Sequence, residues 1–209
     1  DLSTDPHEVK DLSTSPAHLS VLIELRGRLR NKLKEINDLS LYPESHLVEE
    51  ILADPIAYGK KHSKEIAQLV DLADLAILPY RDAERSLQRA LEKGSAWEKY
   101  WACVVCSHFG EKAKSAVSAL QALEQDRNLM VRMRAVEALA LVNGQDPIPQ
   151  LVRIANQSSS AVEVLLTLNA VAFFRDHHGF ALDVKSLKVK APQGQYLRRT
   201  EYFAEDLNL

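Results

Sequence analysis

Little in this chain of 209 residues points directly to chemistry. It has two cysteines, Cys103 and Cys106, too few for a disulfide framework. No apolar run approaches the roughly 18–20 residues needed to span a bilayer. Net charge is −3, without a strongly basic block, so the bulk electrostatics give no reason to expect nucleic acid as a partner. Glycine is scarce at seven residues and aromatics make up only 6%, which leans toward an all-helical chain. What is present is ordinary for a globular protein: 46% hydrophobic and 26% charged residues, enough for one domain or one domain plus an appendage.

The first fourteen residues read as extended or turn-rich, with Asp5-Pro6 as turn chemistry. Ser15-Pro16 then presents a cap followed by proline at the first helical position. Leu19, Leu22, Leu25, Leu29, Leu33 and Ile36 follow at spacings of three and four, one stripe of a long amphipathic helix. Arg26, Arg28, Arg30, Lys32 and Lys34 spread round that helix as a solvated surface. Pro43 begins a shorter helix carrying Leu47, Ile51 and Leu52, ended by Asp54-Pro55. Ser63 is placed to cap another, with Ile66, Leu69, Val70, Ala73 and Ile77 on one face and Pro79 closing it.

From there the pattern becomes periodic. Residues 96–110, AWEKYWACVVCSHFG, align with residues 130–144, MVRMRAVEALALVNG, on Gly110 and Gly144. The offset is 34 and pairs Trp97 with Val131, Trp101 with Ala135, Val105 with Leu139, and His108 with Val142. Residues 161–173, AVEVLLTLNAVAF, repeat the pattern at an offset of 31. Each stretch follows a shorter helix, Ser86–Leu91, Ala116–Leu123 and Pro147–Ala155. The polar links are short enough to make antiparallel pairs. A helix pair returning every 31–34 residues implies an α-solenoid, in which each unit buries its face against its neighbours. Residues 195–207 read as a closing helix with Leu197, Tyr202 and Leu207 inward, after a loop or strand-like excursion over 179–194.

Two resemblances overlie this reading. Val131–Gly144, with its VRxRAxEALAxxxG wording, resembles HEAT repeats, although the period is shorter than theirs. Asp1, Leu2, Asp5, Pro6, His7, Glu8 and Leu12 resemble the ELYDLxxDPHExxNLA segment near the end of the sulfatase catalytic fold, with Asp11 in place of the usual Asn. Trp97–Ala113, WEKYWACVVCSHFGEKA, and Tyr196–Phe203, YLRRTEYF, are similar to the helical units and closing helix that follow the catalytic domain in several bacterial sulfatases. The resemblance implies that the chain begins inside a longer protein. It divides the chain into the end of a sulfatase-like catalytic region with its connecting helix (1–40), a helical linker (41–80) and HEAT-like repeats with a closing helix (81–209). It implies a parent that hydrolyses sulfate esters or sulfamates using formylglycine and calcium, exported to the periplasm or beyond. The partner it implies is that catalytic domain, with sulfated polysaccharide as a second candidate.

The chemistry of that family cannot be placed on these residues. Neither cysteine stands in a C/S-x-P-S-R motif, and no Asp-rich cluster has the ligand spacing of a calcium site. No catalytic, cofactor-binding or metal residue is therefore assigned. Cys103 and Cys106 have the spacing of a redox or zinc pair, but they lie mid-helix without a second pair, and read as core. His177-His178 sits where imidazoles complement a helix C-terminus. His46 with Glu49 and Glu50, and His62 with Glu65, are ordinary helix-face pairs. His7-Glu8 reads as turn structure. The candidate interaction residues are Tyr100, expected at the surface, Arg132 and Arg134 on the repeats, and the late basic group Lys185, Lys188, Lys190, Arg198 and Arg199. Trp97 and Trp101 are expected in the core. These readings leave three classes open: a non-catalytic sulfatase tail, a stand-alone interaction scaffold, and a HEAT-like enzyme, for which no acid/base pair stands out.

Overall fold

The structure is a computed structural model and describes residues 2–205; Asp1 and Leu207, which belong to the readings above, lie outside them. Among the described residues ten α-helices of seven residues or more follow one another, and no strand occurs. They are α1 (Leu19–Glu35), α2 (Pro55–Lys61), α3 (Ser63–Ala73), α4 (Tyr80–Lys93), α5 (Ala96–Phe109), α6 (Val117–Leu123), α7 (Leu129–Asn143), α8 (Ile148–Gln157), α9 (Ala161–His178) and α10 (Leu197–Glu205). The chain is an all-α solenoid: α4/α5, α6/α7 and α8/α9 form successive antiparallel pairs, and α3 packs on α5 ahead of them.

Local chemistry sets the helix starts. Ser95 and Glu98 form a reciprocal capping box at α5, the Asn128 carboxamide accepts from Met130 and Val131 at α7, and Ser160 accepts from Glu163 at α9. Each cap satisfies amides that the first helical turn leaves unpaired. The caps stand 33 and 32 residues apart, and this is the true repeat register. It superposes Ala102, Ala135 and Thr167, then Cys103, Val136 and Leu168, then Cys106, Leu139 and Val171, all buried. The alignment on Gly110 and Gly144 is off by one because those glycines do different work. Gly144 closes α7 in the left-handed region at φ 76°, ψ 14°, as expected of a helix C-terminus. Gly110, at φ 55°, ψ −135°, turns straight into a 3-10 segment, Gly110–Ala116. The slip paired exposed His108 with buried Val142.

The N-terminal third differs more from expectation. The first residues are turns, as anticipated, and Glu8 adopts φ 51°. Ser15 does not cap a backbone amide; its hydroxyl meets His18 Nδ1 at 3.0 Å, and the helix opens on a 3-10 turn over Pro16–His18. Asp54-Pro55 does not merely end a helix: Asp54 accepts from the Ala57 amide and starts α2. Ser63 begins α3 without capping it. Pro79 precedes α4 rather than closing α3, which gives way to a 3-10 turn over Asp74–Ile77. Ile77 and Leu52 are exposed. In α10, Phe203 is the buried side chain, whereas Leu197 and Tyr202 reach solvent.

Two apolar cores result. The larger runs through the repeat pairs, and the smaller gathers Leu41, Tyr42, Ile51, Ile66, Leu69 and Val70. Trp97 and Trp101 pack against both. Helix α1 rests on α3, tied by Arg30 and Lys34 to Asp71. It buries no residue fully, and Leu25, Leu29 and Ile36 are more than half exposed.

Candidate functional site

The face shared by the second helices of the pairs carries a cleft of about 570 Å³. Its geometry follows from the cap register. The sixth residue after each cap is Trp101, Arg134 or Leu166; the ninth is Val104, Glu137 or Asn169; all six line the cleft. Leu141 and Phe173, both thirteenth, close its far side. The charged pair therefore comes from α7, between apolar Trp101 and Val104 on α5 and Leu166 with Asn169 on α9.

Arg134 and Glu137 form an ion pair one helical turn apart, with side chains 31% and 13% exposed. Arg134 also donates to the Tyr100 hydroxyl at 2.9 Å and lies over that ring, 5.0 Å from its centroid. Burial pushes the Glu137 carboxyl above its usual range, and Arg134 offsets this only in part. Burial alone would lower the Arg134 guanidinium, but Glu137 and Tyr100 outweigh it and hold it above its ordinary value. Burial likewise raises the Tyr100 phenol. The arrangement is a neutralised pair, held by charge-assisted bonds, rather than an acid and a base set apart for proton transfer.

One end of the cleft is bounded by the chain itself. Ser40, Leu41 and Tyr42 line it, and the Trp101 indole donates to the Leu41 carbonyl at 2.7 Å. Here Leu41, Tyr42, Pro43 and Ser45 are buried. On α9, Asn169 accepts from Arg199 Nε at 2.7 Å.

The structure divides the eight candidate residues. Tyr100 and Arg134 meet in the cleft, and Arg199 reaches its edge through Asn169. Tyr100 is only 7% exposed, not a surface residue, because Arg134 and the neighbouring indoles enclose it. Trp101, expected in the core, is half-buried and lines the cleft. Arg132 is half-buried, with Nε lacking a hydrogen-bond partner. Lys185, Lys188 and Lys190 are exposed on the excursion, which hooks onto α8: Asn156 donates to the Ser186 carbonyl at 2.9 Å and accepts from the Lys188 amide at 2.6 Å. None of the three lysines lines the cleft, nor does exposed Arg198. Glu137, Asn169 and Phe173 escaped the sequence reading; counting from the caps Ser95, Asn128 and Ser160 would have found all three.

A second cluster joins the smaller core to the repeats. His46 Nε2 and the Tyr58 hydroxyl are 2.8 Å apart, Tyr42 and Ser95 donate to Glu65 at 2.9 and 3.0 Å, and the His46 ring lies 4.6 Å from that of Trp97. Cys103 and Cys106 are both buried as free thiols. Among the described residues no group of three or more His, Cys, Asp or Glu is arranged to hold a metal ion, and no helix is long and apolar enough to cross a membrane.

Residues 83–168 match the family model for HEAT repeats. That stretch runs from α4 into α9 and takes in most of the cleft. Over that stretch the helix pairs of the solenoid are similar to HEAT repeats. No curated protein and no solved structure matches the chain.

Proposed function

We propose that this chain is a non-catalytic helical-repeat module that packs on a larger folded partner through α1. The observation that carries the reading is the uncovered apolar stripe of that helix. Leu25, Leu29 and Ile36 lie on the same side as the half-buried Leu22 and Leu33. Leu12, Val21, Leu22 and Leu25 continue it as an apolar groove between the first turns and α1. At about 25 cal/mol per Å² of apolar surface, covering such a stripe stabilises an interface by several kcal/mol.

The partner we favour is a sulfatase-like catalytic domain of the same parent, because the residues resembling that fold lead directly into α1. Formylglycine and calcium would then belong to that domain. They do not fit here: both cysteines are buried mid-helix, and no acidic cluster is available among the described residues. The parent's substrate class would be sulfate esters or sulfamates, and its location periplasmic or extracellular. A sulfated polysaccharide reaching this module would meet Lys185, Lys188 and Lys190 at the surface.

A second reading, a stand-alone HEAT-repeat scaffold for a protein partner, is favoured by the cleft. The intact mass of the polypeptide as its native gene encodes it separates the two. A mass well above 23.4 kDa, with a C/S-x-P-S-R motif upstream, supports the sulfatase parent. A chain ending near Asp1 supports the scaffold and overturns the parent.

A further inference from the structure

The polar groups of the cleft are not all engaged with one another. Arg134 directs Nη1 to Glu137 Oε2 and Nη2 to the Tyr100 hydroxyl. Glu137 Oε1 takes no protein donor, and it is accessible rather than sealed in the core. On α9, Asn169 gives its carboxamide oxygen to Arg199 Nε, a group that can only donate. That bond fixes which way the amide faces and leaves its NH2 group accessible without a partner. Glu137 and Asn169 stand at the same position after their caps, on neighbouring second helices, and line one cleft. A free acceptor and a free donor are thus set side by side.

The rest of the cleft narrows what can meet them. Trp101, Val104, Leu141, Leu166 and Phe173 give it apolar walls. Trp101 is half-buried and Phe173 is 44% exposed, so two aromatic rings are open to contact. The Arg134–Glu137 pair leaves no net charge. A carboxylate or phosphate would have to draw Arg134 away from Glu137, and an ammonium the reverse, each stranding a largely buried ion. A sugar needs more hydrogen-bonding groups than these walls offer. The volume of about 570 Å³ suits a small molecule.

We infer that the cleft binds an uncharged aromatic lactam or amide. The ligand's N–H donates to Glu137 Oε1, its carbonyl accepts from the Asn169 NH2 group, and its rings lie against Trp101, Leu166 and Phe173. The two bonds run in opposite directions, so the ligand carries donor and acceptor on one edge. The inference goes beyond both readings of the chain and does not depend on what covers α1.

The test is a proton–nitrogen correlation NMR titration of the whole chain with carbostyril, a neutral bicyclic lactam. The chain has two tryptophans; Trp101 lines the cleft and Trp97 does not, so one indole peak reports and the other is a control. Trp101→Phe assigns them. A saturable shift of the Trp101 peak with a Kd tighter than about 1 mM is the expected result. N-methylcarbostyril keeps the rings and carbonyl but lacks the donor, and should bind at least about fivefold more weakly, the worth of one hydrogen bond. Asn169→Asp exchanges the NH2 donor for an acceptor while keeping an oxygen for Arg199, and should weaken carbostyril by a similar factor. Phe173→Ala should weaken it as well, and unchanged melting of both variants confirms the fold. Leu29→Asp on α1 should leave binding intact, which separates this result from any failure of the α1 interface. No saturable shift of the Trp101 peak, equal binding of the N-methyl compound, or an affinity unmoved by Asn169→Asp overturns the inference. So does tighter binding of quinaldate, the related carboxylate, which would make the cleft an anion site on Arg134.

Discussion

The Trp101 indole nitrogen and the Leu41 carbonyl oxygen, sixty positions apart, lie 2.7 Å from each other. That bond fastens the N-terminal segment to the first repeat. Trp101→Phe keeps most of the ring packing and leaves the carbonyl without its donor. The expected loss is about 1 kcal/mol, read as a shifted urea midpoint with an unchanged slope.

Glu137 and Arg134 should not behave as independent sites. Arg134→Met leaves a largely buried carboxylate without its partner, and should cost roughly 1–3 kcal/mol. Arg134→Met with Glu137→Leu should recover much of that, since replacing both members of a buried pair with apolar groups is often neutral or stabilising. A double-mutant cycle by chemical denaturation measures the coupling.

Stability should fall as pH drops through the histidine range. Burial lowers the His46 imidazole below its ordinary 6.5, against the opposing pull of Glu50, Glu65 and Glu49. The folded state then binds this proton less readily than the unfolded chain. His46 contributes its full stability above the unfolded value of 6.5, and that contribution declines below it until the lower folded value is passed. His46→Gln should flatten the slope in that window. Thermal melts at half-unit intervals from pH 7.5 to 5 check the sign.

Cys103 and Cys106 should resist modification while the fold holds. Burial pushes the Cys106 thiol up to about 12, and Cys103 is raised for the same reason, with Cys106 and Glu137 adding to it. Almost no thiolate exists at pH 8 to react. Ellman's reagent should titrate no thiols in native protein and two in denaturant.

The sequence shows the helix pairs because each buries one face, and burial leaves a periodic apolar trace. It also places Ile66, Leu69 and Val70 in the core correctly. It misleads where one residue type serves two geometries. Gly110 and Gly144 look alike as letters but differ in ψ by more than a right angle, and the one-residue slip hid the register that sets Glu137 level with Val104 and Asn169. Tyr100 was unreadable for a different cause: what buries it is Arg134, 34 positions later. The α1 stripe was legible as amphipathic, yet periodicity carries no record of whether anything covers the face.

Repeat arrays ordinarily unzip from their ends, one unit peeling away while the rest persists. Trp97 and Trp101 oppose that here, because each belongs to both cores at once. Releasing residues 39–73 would strip both indoles of one of the two cores they pack on, and losing α5 would uncover Leu41 and Tyr42 on the indole side. The two cores should therefore melt in a single cooperative transition, with tryptophan fluorescence and far-UV circular dichroism changing together.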